Sequence, residues 1–568
     1  MQGRQSQSVA ARRRPRIARF FLASGSLLLV LLSLLGGCTE QKGRPWLRYD
    51  AETTPGSLDP QFADSSVSSL VITNLFEGLV RLSDGGKIEL ACAERYEISE
   101  DQRVYTFYLR EGLLWQDGSA LTAGDFVFAF WRLFDPGAPS AAAASYGSIQ
   151  NAPEILAGKM PLSSLGVTAP NDRTVVIRLS TPDLSMPALL SEPAAMPCPE
   201  QFFRAQKGRY GLNVEAVMGN GPFTLQSWDT QLIELARSER YRQPPQIGGV
   251  NLYLGRGDPV ELFLAGRSDL CLIPYQRLSE ADGLVSGTLV LDQSWVLMFH
   301  LDKETGRQKA LRRALIGALE YPVPARLLPE GVAASGGLVS PAAVLRGENY
   351  REMVGNVQPP PAEADPRTLF LSALGELGLD KLPRTTLLVS NFSPGPELGG
   401  AMQSIWREKL SVHINMEQLS YSELLRRVES GRFDLALLPI PASGNGPGDA
   451  LARFAEVSLS DPPAPDADQA SESGQTFGSA MAAPDPSPAS ASSETVGAML
   501  EQARRCADSA EAAALYLAAE QQVIDDYAAM PMFDAPSLFA VGKGLSGVER
   551  TASAGSIYFG GAALSDLQ

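Results

Sequence analysis

Residues 105 to 126 read YTFYLREGLLWQDGSALTAGDF, and their opening hexapeptide sets the fold class. Tyr105, Phe107 and Leu109 share one face of an extended chain, so the stretch reads as a strand. Thr174 to Leu179, TVVIRL, is rich in β-branched side chains and reads as another. Helical spacing surrounds these strands. Val67, Leu70, Val71, Leu75 and Leu79 recur with it after the serine pair Ser65 and Ser66, which can cap the start. Met402, Ile405, Trp406 and Leu410 repeat the pattern, and so does Ser422 to Val428, which Gly431 can terminate. Asp508 with Glu511 forms a capping pair that opens an alanine-rich helix to about Tyr527. Strands mixed with helices at this length predict an α/β protein with more than one lobe.

The N-terminus has a different logic. Arg4, Arg12, Arg13, Arg14, Arg16 and Arg19 precede an apolar run from Phe20 to Leu35, and no acid falls before residue 38. The run is interrupted by serines and is too short to favour a membrane-spanning helix. Basic, apolar and small-residue regions in that order make an export signal. Leu35-Gly-Gly-Cys38 resembles the lipobox of bacterial lipoproteins, which implies cleavage before Cys38 and lipid on its thiol. The expected place of work is therefore outside the cytoplasm, tethered to a bacterial membrane, with residues 38 to 46 as the tether.

Composition agrees. The chain has 568 residues, 44% apolar, enough for several cores. Its net charge is -16, and -22 once the six signal arginines are removed, a balance that repels nucleic acid. Cys92, Cys198, Cys271 and Cys506 form no CxxC and read as isolated buried thiols.

Reactive residues are scarce. The two histidines, His300 and His413, sit in apolar-rich segments without a neighbouring nucleophile or second ligand, and read as structural. Carboxylates are plentiful, but no segment singles out a catalytic pair. Gly219-Asn220-Gly221 runs into Pro222 and reads as a turn, and Arg256-Gly-Asp258 as a chance match to an adhesion tripeptide. No enzyme, metal or cofactor is expected. Residues 461 to 494, rich in Pro, Ala, Ser and Asp, read as a disordered insertion.

A series of short motifs runs through the chain in order. These are Ser57-Leu-Asp-Pro60, Asn74-Leu-Phe-Glu-Gly-Leu79, Trp115-Gln-Asp-Gly118, Leu121-Thr-Ala-Gly-Asp-Phe126, Glu154-Ile-Leu-Ala-Gly-Lys159, Leu165-Gly-Val-Thr-Ala169, Asn220-Gly-Pro-Phe-Thr-Leu225, Gly431-Arg-Phe-Asp-Leu435 and Ala519-Glu-Gln-Gln522. Their order and spacing resemble the family 5 solute-binding proteins of ABC importers, above all the oligopeptide-binding lipoproteins. The resemblance implies a two-lobed, hinged periplasmic-binding-protein fold of type II with the extra subdomain of the peptide-binding cluster. It implies a first lobe from residues 47–75, 196–290 and 533–568, an extra subdomain at 76–195 and a second lobe at 291–532. It also implies a monomer that closes on a peptide or other small solute and delivers it to permease subunits.

In peptide-binding members the ligand's backbone pairs with strands of both lobes. The resemblance assigns these roles to Asp64, Ser65 and Ser66 in the first lobe and to Pro439, Ile440 and Pro441 in the second. Trp295 and Phe299 fall where the family often places cleft aromatics. Two departures stand out. Prolines offer no N–H. Where the family's W-x-x-D-Y pattern places an aspartate for the peptide ammonium, this chain has Ser443. Three readings follow: Asp64 or Asp449 replaces the missing acid; the ligand has no free ammonium, being an N-blocked peptide or another solute; or the fold serves as an orphan surface lipoprotein in adhesion, sensing or chaperoning.

Overall fold

The computed structural model describes residues 44–51, 53–63, 65–83, 86–281, 286–319, 332, 334–357, 365–441, 446–455, 495–550 and 557–565. The export signal with Cys38, the insertion at 461 to 494, Asp64 and Ser443 lie outside them. Residues 46 to 568 form one compact unit, and everything below concerns that unit.

Two hydrophobic cores organise it. The first joins Leu47, Val71 and Leu75 to Phe107, Phe126, Leu252 and Phe559. It is laid over two sheets. In one, Trp46–Ala51 pairs parallel with Gly249–Leu254, followed antiparallel by Leu232–Arg237 and Phe223–Trp228. In the other, Ala93–Ile98, Val104–Leu109, Thr174–Arg178 and Val167–Asn171 form an antiparallel sheet against the helix Ala123–Leu133. Both strands expected from the sequence are here, each within a residue of its predicted limits. Residues of both sheets share this core.

The second core runs from Trp295 through Leu315, Trp406, Leu437 and Tyr516 to Ala535. Its sheet has the order Leu270–Pro274, Ala529–Val541, Ser286–Phe299, Leu435–Pro441, Thr386–Ser390 and Asn415–Leu419. Ser286–Phe299 and Ala529–Val541 are 14 and 13 residues long, about 45 Å at the usual rise of a strand. Their length lets them belong to both bodies. Val541 and Phe539 pack with the first core, whereas Trp295 to Phe299 and Ala529 to Ala535 pack in the second. Register shifts at Leu291/Gln293 and Trp295/Val296 break the pairing where the strands cross between the cores, and such bulges bend a ribbon and raise its twist.

Several sequence motifs turn out to be clasps. Asn74 donates to the carbonyls of Leu70 and Ile557 at 2.9 and 2.7 Å and accepts from Phe559 N–H at 2.9 Å, tying the C-terminal tail to the helix Ser66–Leu75. Glu77 is buried and accepts from Arg242 and from the Tyr241 hydroxyl, each at 2.5 Å. The Gly219-Asn220-Gly221 turn is more than a turn: a Cβ at Gly219 would lie 2.0 Å from Leu75 O, and Asn220 brackets Glu77 by bonding both its N–H and its C=O. Arg256 of the adhesion-like tripeptide is paired with Asp50 at 2.9 Å, and Asp258 caps the helix Pro259–Leu264, so the tripeptide is structural.

Three expectations are corrected in detail. His413 is exposed rather than packed, while half-buried His300 lies against Phe433 at 5.0 Å. Cys506 is only half-buried, unlike the other three free thiols. The C-terminal helix, capped by Asp508 as expected, ends at Asp525. Among the described residues no group of three or more His, Cys, Asp or Glu could hold a metal ion, and no described helix is long and apolar enough to cross a membrane.

Candidate functional site

Where the long strands cross, one face carries a run of rings. Trp295 stacks on Phe533 with centroids 5.6 Å apart and planes at 10°. Phe392 meets the Trp295 ring at 6.1 Å and 70°, and Tyr421 meets Phe392 at 6.1 Å and 71°. Tyr275 continues the series at 6.2 Å from Phe533. The strand pairing sets Trp295 beside both Phe533 and Pro439, which fixes this face. Trp295 is buried, but Phe392 is 41% exposed, so the array leads from core to solvent. Tyr275 directly follows Leu270–Pro274, and its neighbour Gln276 donates across to Ser393 O at 3.0 Å. Trp295, Phe533 and Tyr275 are buried at the crossing point, and the accessible end of the array, Phe392 with half-buried Tyr421, offers an apolar, π-faced floor.

The opposite face of the same strands is polar and enclosed. Ser294 and Asp534 are cross-strand partners, and Asp534 accepts from the hydroxyls of Ser294 at 2.6 Å and Ser335 at 2.7 Å. Burial raises the Asp534 pKa, and those two hydroxyls oppose the rise only in part. Ile440, paired with Ser294, is 1% exposed on this side. Of the second-lobe pairing segment, Ile440 therefore serves the core.

Pro439 is buried and Pro441 is exposed at the end of a strand with one open side. The parallel neighbour Thr386–Ser390 covers only Leu435, Ala436 and Leu437, so Leu438 to Pro441 have a strand partner on one side alone. The Tyr421 hydroxyl donates to Pro439 O at 3.3 Å, so that carbonyl points away from Ser286–Phe299 and toward the open side. Pro441, two residues on, has the same orientation by the period of a strand. The edge presents acceptors and no donors.

Other expected site residues fall differently. Ser65 and Ser66 do not extend a strand. Ser65 is the N-cap of Ser66–Leu75: its hydroxyl accepts from Ser68 N–H at 3.1 Å and its carbonyl from Ser69 N–H at 3.0 Å. Its side chain and carbonyl are already used by the helix, and Ser66 is helical. Phe299 is 3% exposed inside the second core, and Trp295, 1% exposed, is buried with it. Asp449 is half-buried in the first turn of Pro447–Ala452, near Arg453 and Tyr516.

Sequence reasoning missed Phe392, Tyr421, Phe533, Tyr275 and Arg453. The rings are far apart in sequence and only the crossing strands collect them. Arg453 has a subtler signal. It is solvent-accessible and makes no hydrogen bond or ion pair among the described residues, yet surrounding protein lowers its pKa, with Tyr421, Glu429 and Asp449 offsetting part of that effect.

With this geometry established, comparison with known proteins places the chain. Residues 87–458 match the model of the bacterial extracellular solute-binding proteins, family 5 middle region. The chain belongs to that family. A probable deoxycholate-binding periplasmic protein of Escherichia coli is 30% identical over 407 residues, 68% of this chain and 74% of its own. A dipeptide-binding protein of Bacillus subtilis is 26% identical over 440 residues, 72% of this chain and 79% of its own. The structure of OppA from Listeria monocytogenes bound to peptide superposes with a TM-score of 0.70 at 18% identity, covering 93% of this chain and 100% of that one. The fold is the two-lobed, hinged one.

Proposed function

We propose that this protein is the solute-binding lipoprotein of an ABC importer, anchored through Cys38, which captures oligopeptides or a related solute between its lobes and presents them to a permease. The aromatic floor at the crossing strands carries this reading. A ligand resting on exposed Phe392 and half-buried Tyr421 lies beside the bond from Gln276 to Ser393 O, where the turn after Leu270–Pro274 meets the second core. Such a ligand biases a hinge equilibrium toward closure because it binds the closed form better. The relatives' names support the peptide assignment. In this reading the first lobe is 47–75, 196–290 and 533–568, the extra subdomain 76–195 and the second lobe 291–532.

One observation favours a second reading. An edge at which exposed Pro441 has a carbonyl and no N–H pairs with a ligand's donors and gives nothing to its carbonyls. With Ser443 in place of an acid, that suits an N-blocked peptide or a non-peptide solute, the class to which the relative named for deoxycholate points. Thermal stabilisation separates the two. The protein, stripped of co-purified ligand by denaturation and refolding, is titrated with random di- to hexapeptides and with the same pool N-acetylated. A ligand at 100 times its Kd adds about 2.7 kcal/mol. Stabilisation by the free pool supports peptide capture with Asp64 or Asp449 as ammonium partner; a shift with the acetylated pool alone supports the second reading; no shift with either overturns the peptide assignment.

A further inference from the structure

Away from the aromatic floor, a cavity of about 380 Å³ opens between the extra subdomain and the second lobe. One wall is the turn at Gly86–Lys87 with the strands carrying Tyr96 and Ile98; the other is the hairpin at Val344–Arg346 with the facing ends of Val496–Arg505 and Ser509–Asp525. The walls interlock. A Cβ at Gly86 would lie 2.7 Å from Val344 Cγ1, and one at Gly347 would lie 3.2 Å from Lys87 Cγ, so the lysine stem rests over the opposite hairpin.

The cavity's charge is at odds with the molecule's. The chain carries a net -16, yet Lys87, Arg346 and Arg504 line the space and no described carboxylate does. Nearby acids are engaged elsewhere. Asp183 accepts from Ser148 and Ser185 at 2.8 and 2.5 Å, and Glu501 pairs with Arg504 at 3.1 Å, so Arg504 brings its own counter-ion and the open positive charge rests on Lys87 and Arg346. Asp183 and Asp449 both act on Tyr516 through their charge. Arg346 is braced by donating to Cys506 O at 2.7 Å and Ala507 O at 3.1 Å, which fixes its guanidinium at the rim. Lys87 Nζ has no partner among the described residues. Beside these cations lie Tyr96, Tyr516 and Ile98, the last 41% exposed although it is a large apolar side chain.

We propose that this cavity is a second ligand site, separate from the aromatic floor, which takes an amphipathic organic anion. The apolar body packs on Ile98, Tyr96 and Tyr516, and the carboxylate faces Lys87 and Arg346, with the Glu501-paired Arg504 at the margin. The volume lies in the range of small-molecule sites, where apolar lining supplies affinity and a few polar groups fix orientation. Several cations around one recess supply the charge-assisted contacts that a carboxylate needs. The site does not depend on what occupies the floor.

Isothermal titration of the purified protein tests this with three probes: decanoate, decan-1-ol with the same apolar body but no charge, and inorganic phosphate with charge but no body. Decanoate is expected to bind at one site at least tenfold tighter than either of the others. Lys87→Glu, a change at an exposed side chain, is expected to weaken decanoate at least tenfold and leave decan-1-ol and the melting temperature unchanged. Ile98→Asp is expected to weaken decanoate on its own, which tests the apolar half with a second exposed position. Decanoate affinity unchanged in both variants, or decan-1-ol or phosphate binding as tightly as decanoate, overturns the proposal.

Discussion

Glu520 shows what a single residue of a recurrent motif does. It stands in Ala519-Glu-Gln-Gln522, is fully buried, and accepts from the N–H groups of Leu338 and Val339 at 2.6 and 3.0 Å while pairing with Arg351. Removing the charge leaves Arg351 buried without its counter-ion, which costs about 3 to 5 kcal/mol. Glu520→Gln is expected to lower unfolding free energy by that order in urea titration. The motif was legible but the clasp was not, because its partners lie 169 and 182 positions away in sequence. Asp534 behaves in the opposite sense. Its folded pKa is raised by burial, so folding takes up a proton between the unfolded and folded values. The stability from the protonated group is present below the unfolded pKa and lost as pH rises through the folded one. Asp534→Asn keeps an acceptor for Ser294 and Ser335 without the charge. It is expected to melt higher than the parent at pH 7, by about 1.4 kcal/mol for each unit of the shift. That gap should close near pH 4, about the ordinary aspartate pKa.

At the scale of elements, periodicity read from sequence located the strands and helices well, because each depends on local spacing and caps. The helix at Ser509–Asp525 begins where its cap predicts, with Asp508 accepting from Glu511 N–H at 2.8 Å. Asp508→Ala is expected to cost about 1 kcal/mol in the same denaturation assay. What sequence could not give is which edge stays open. Ser65 and Ser66 fit the family's pairing segment by position, but the capping geometry claims them for a helix. The prolines of Leu435–Pro441 were legible as donor-free residues. That their strand lacks a second neighbour is a fact of register, set by where Thr386–Ser390 ends. A donor placed at that edge has an open side to face. Pro441→Ala restores an N–H at an exposed position, and one more hydrogen bond is worth about 0.5 to 1.5 kcal/mol. Affinity for a backbone-pairing peptide is expected to rise about 2- to 13-fold in titration calorimetry, whereas a solute that does not pair should be unaffected.

For the whole molecule, two cores joined by a bulged pair of long strands make closure the natural motion, since bending at the register shifts leaves each core intact. The order of motifs predicted this architecture because those motifs are clasps within each body. The contacts between bodies left no pattern in the sequence, because they join residues far apart along it. Gln276 donating to Ser393 O at 3.0 Å is one, formed only when the two sides meet. Gln276 is exposed, so the bond's net worth is at the low end, about 0.5 to 1 kcal/mol, or about 2- to 5-fold in the ratio of closed to open forms. Gln276→Ala is therefore expected to enlarge the ligand-free radius of gyration in small-angle scattering and to weaken ligand binding by up to that factor. Its melting temperature should match the parent's, because neither core is touched. A variant that binds as the parent does and scatters identically would mean that closure draws on the ligand alone, with the aromatic floor of Phe392 and Tyr421 supplying the bias toward the closed state.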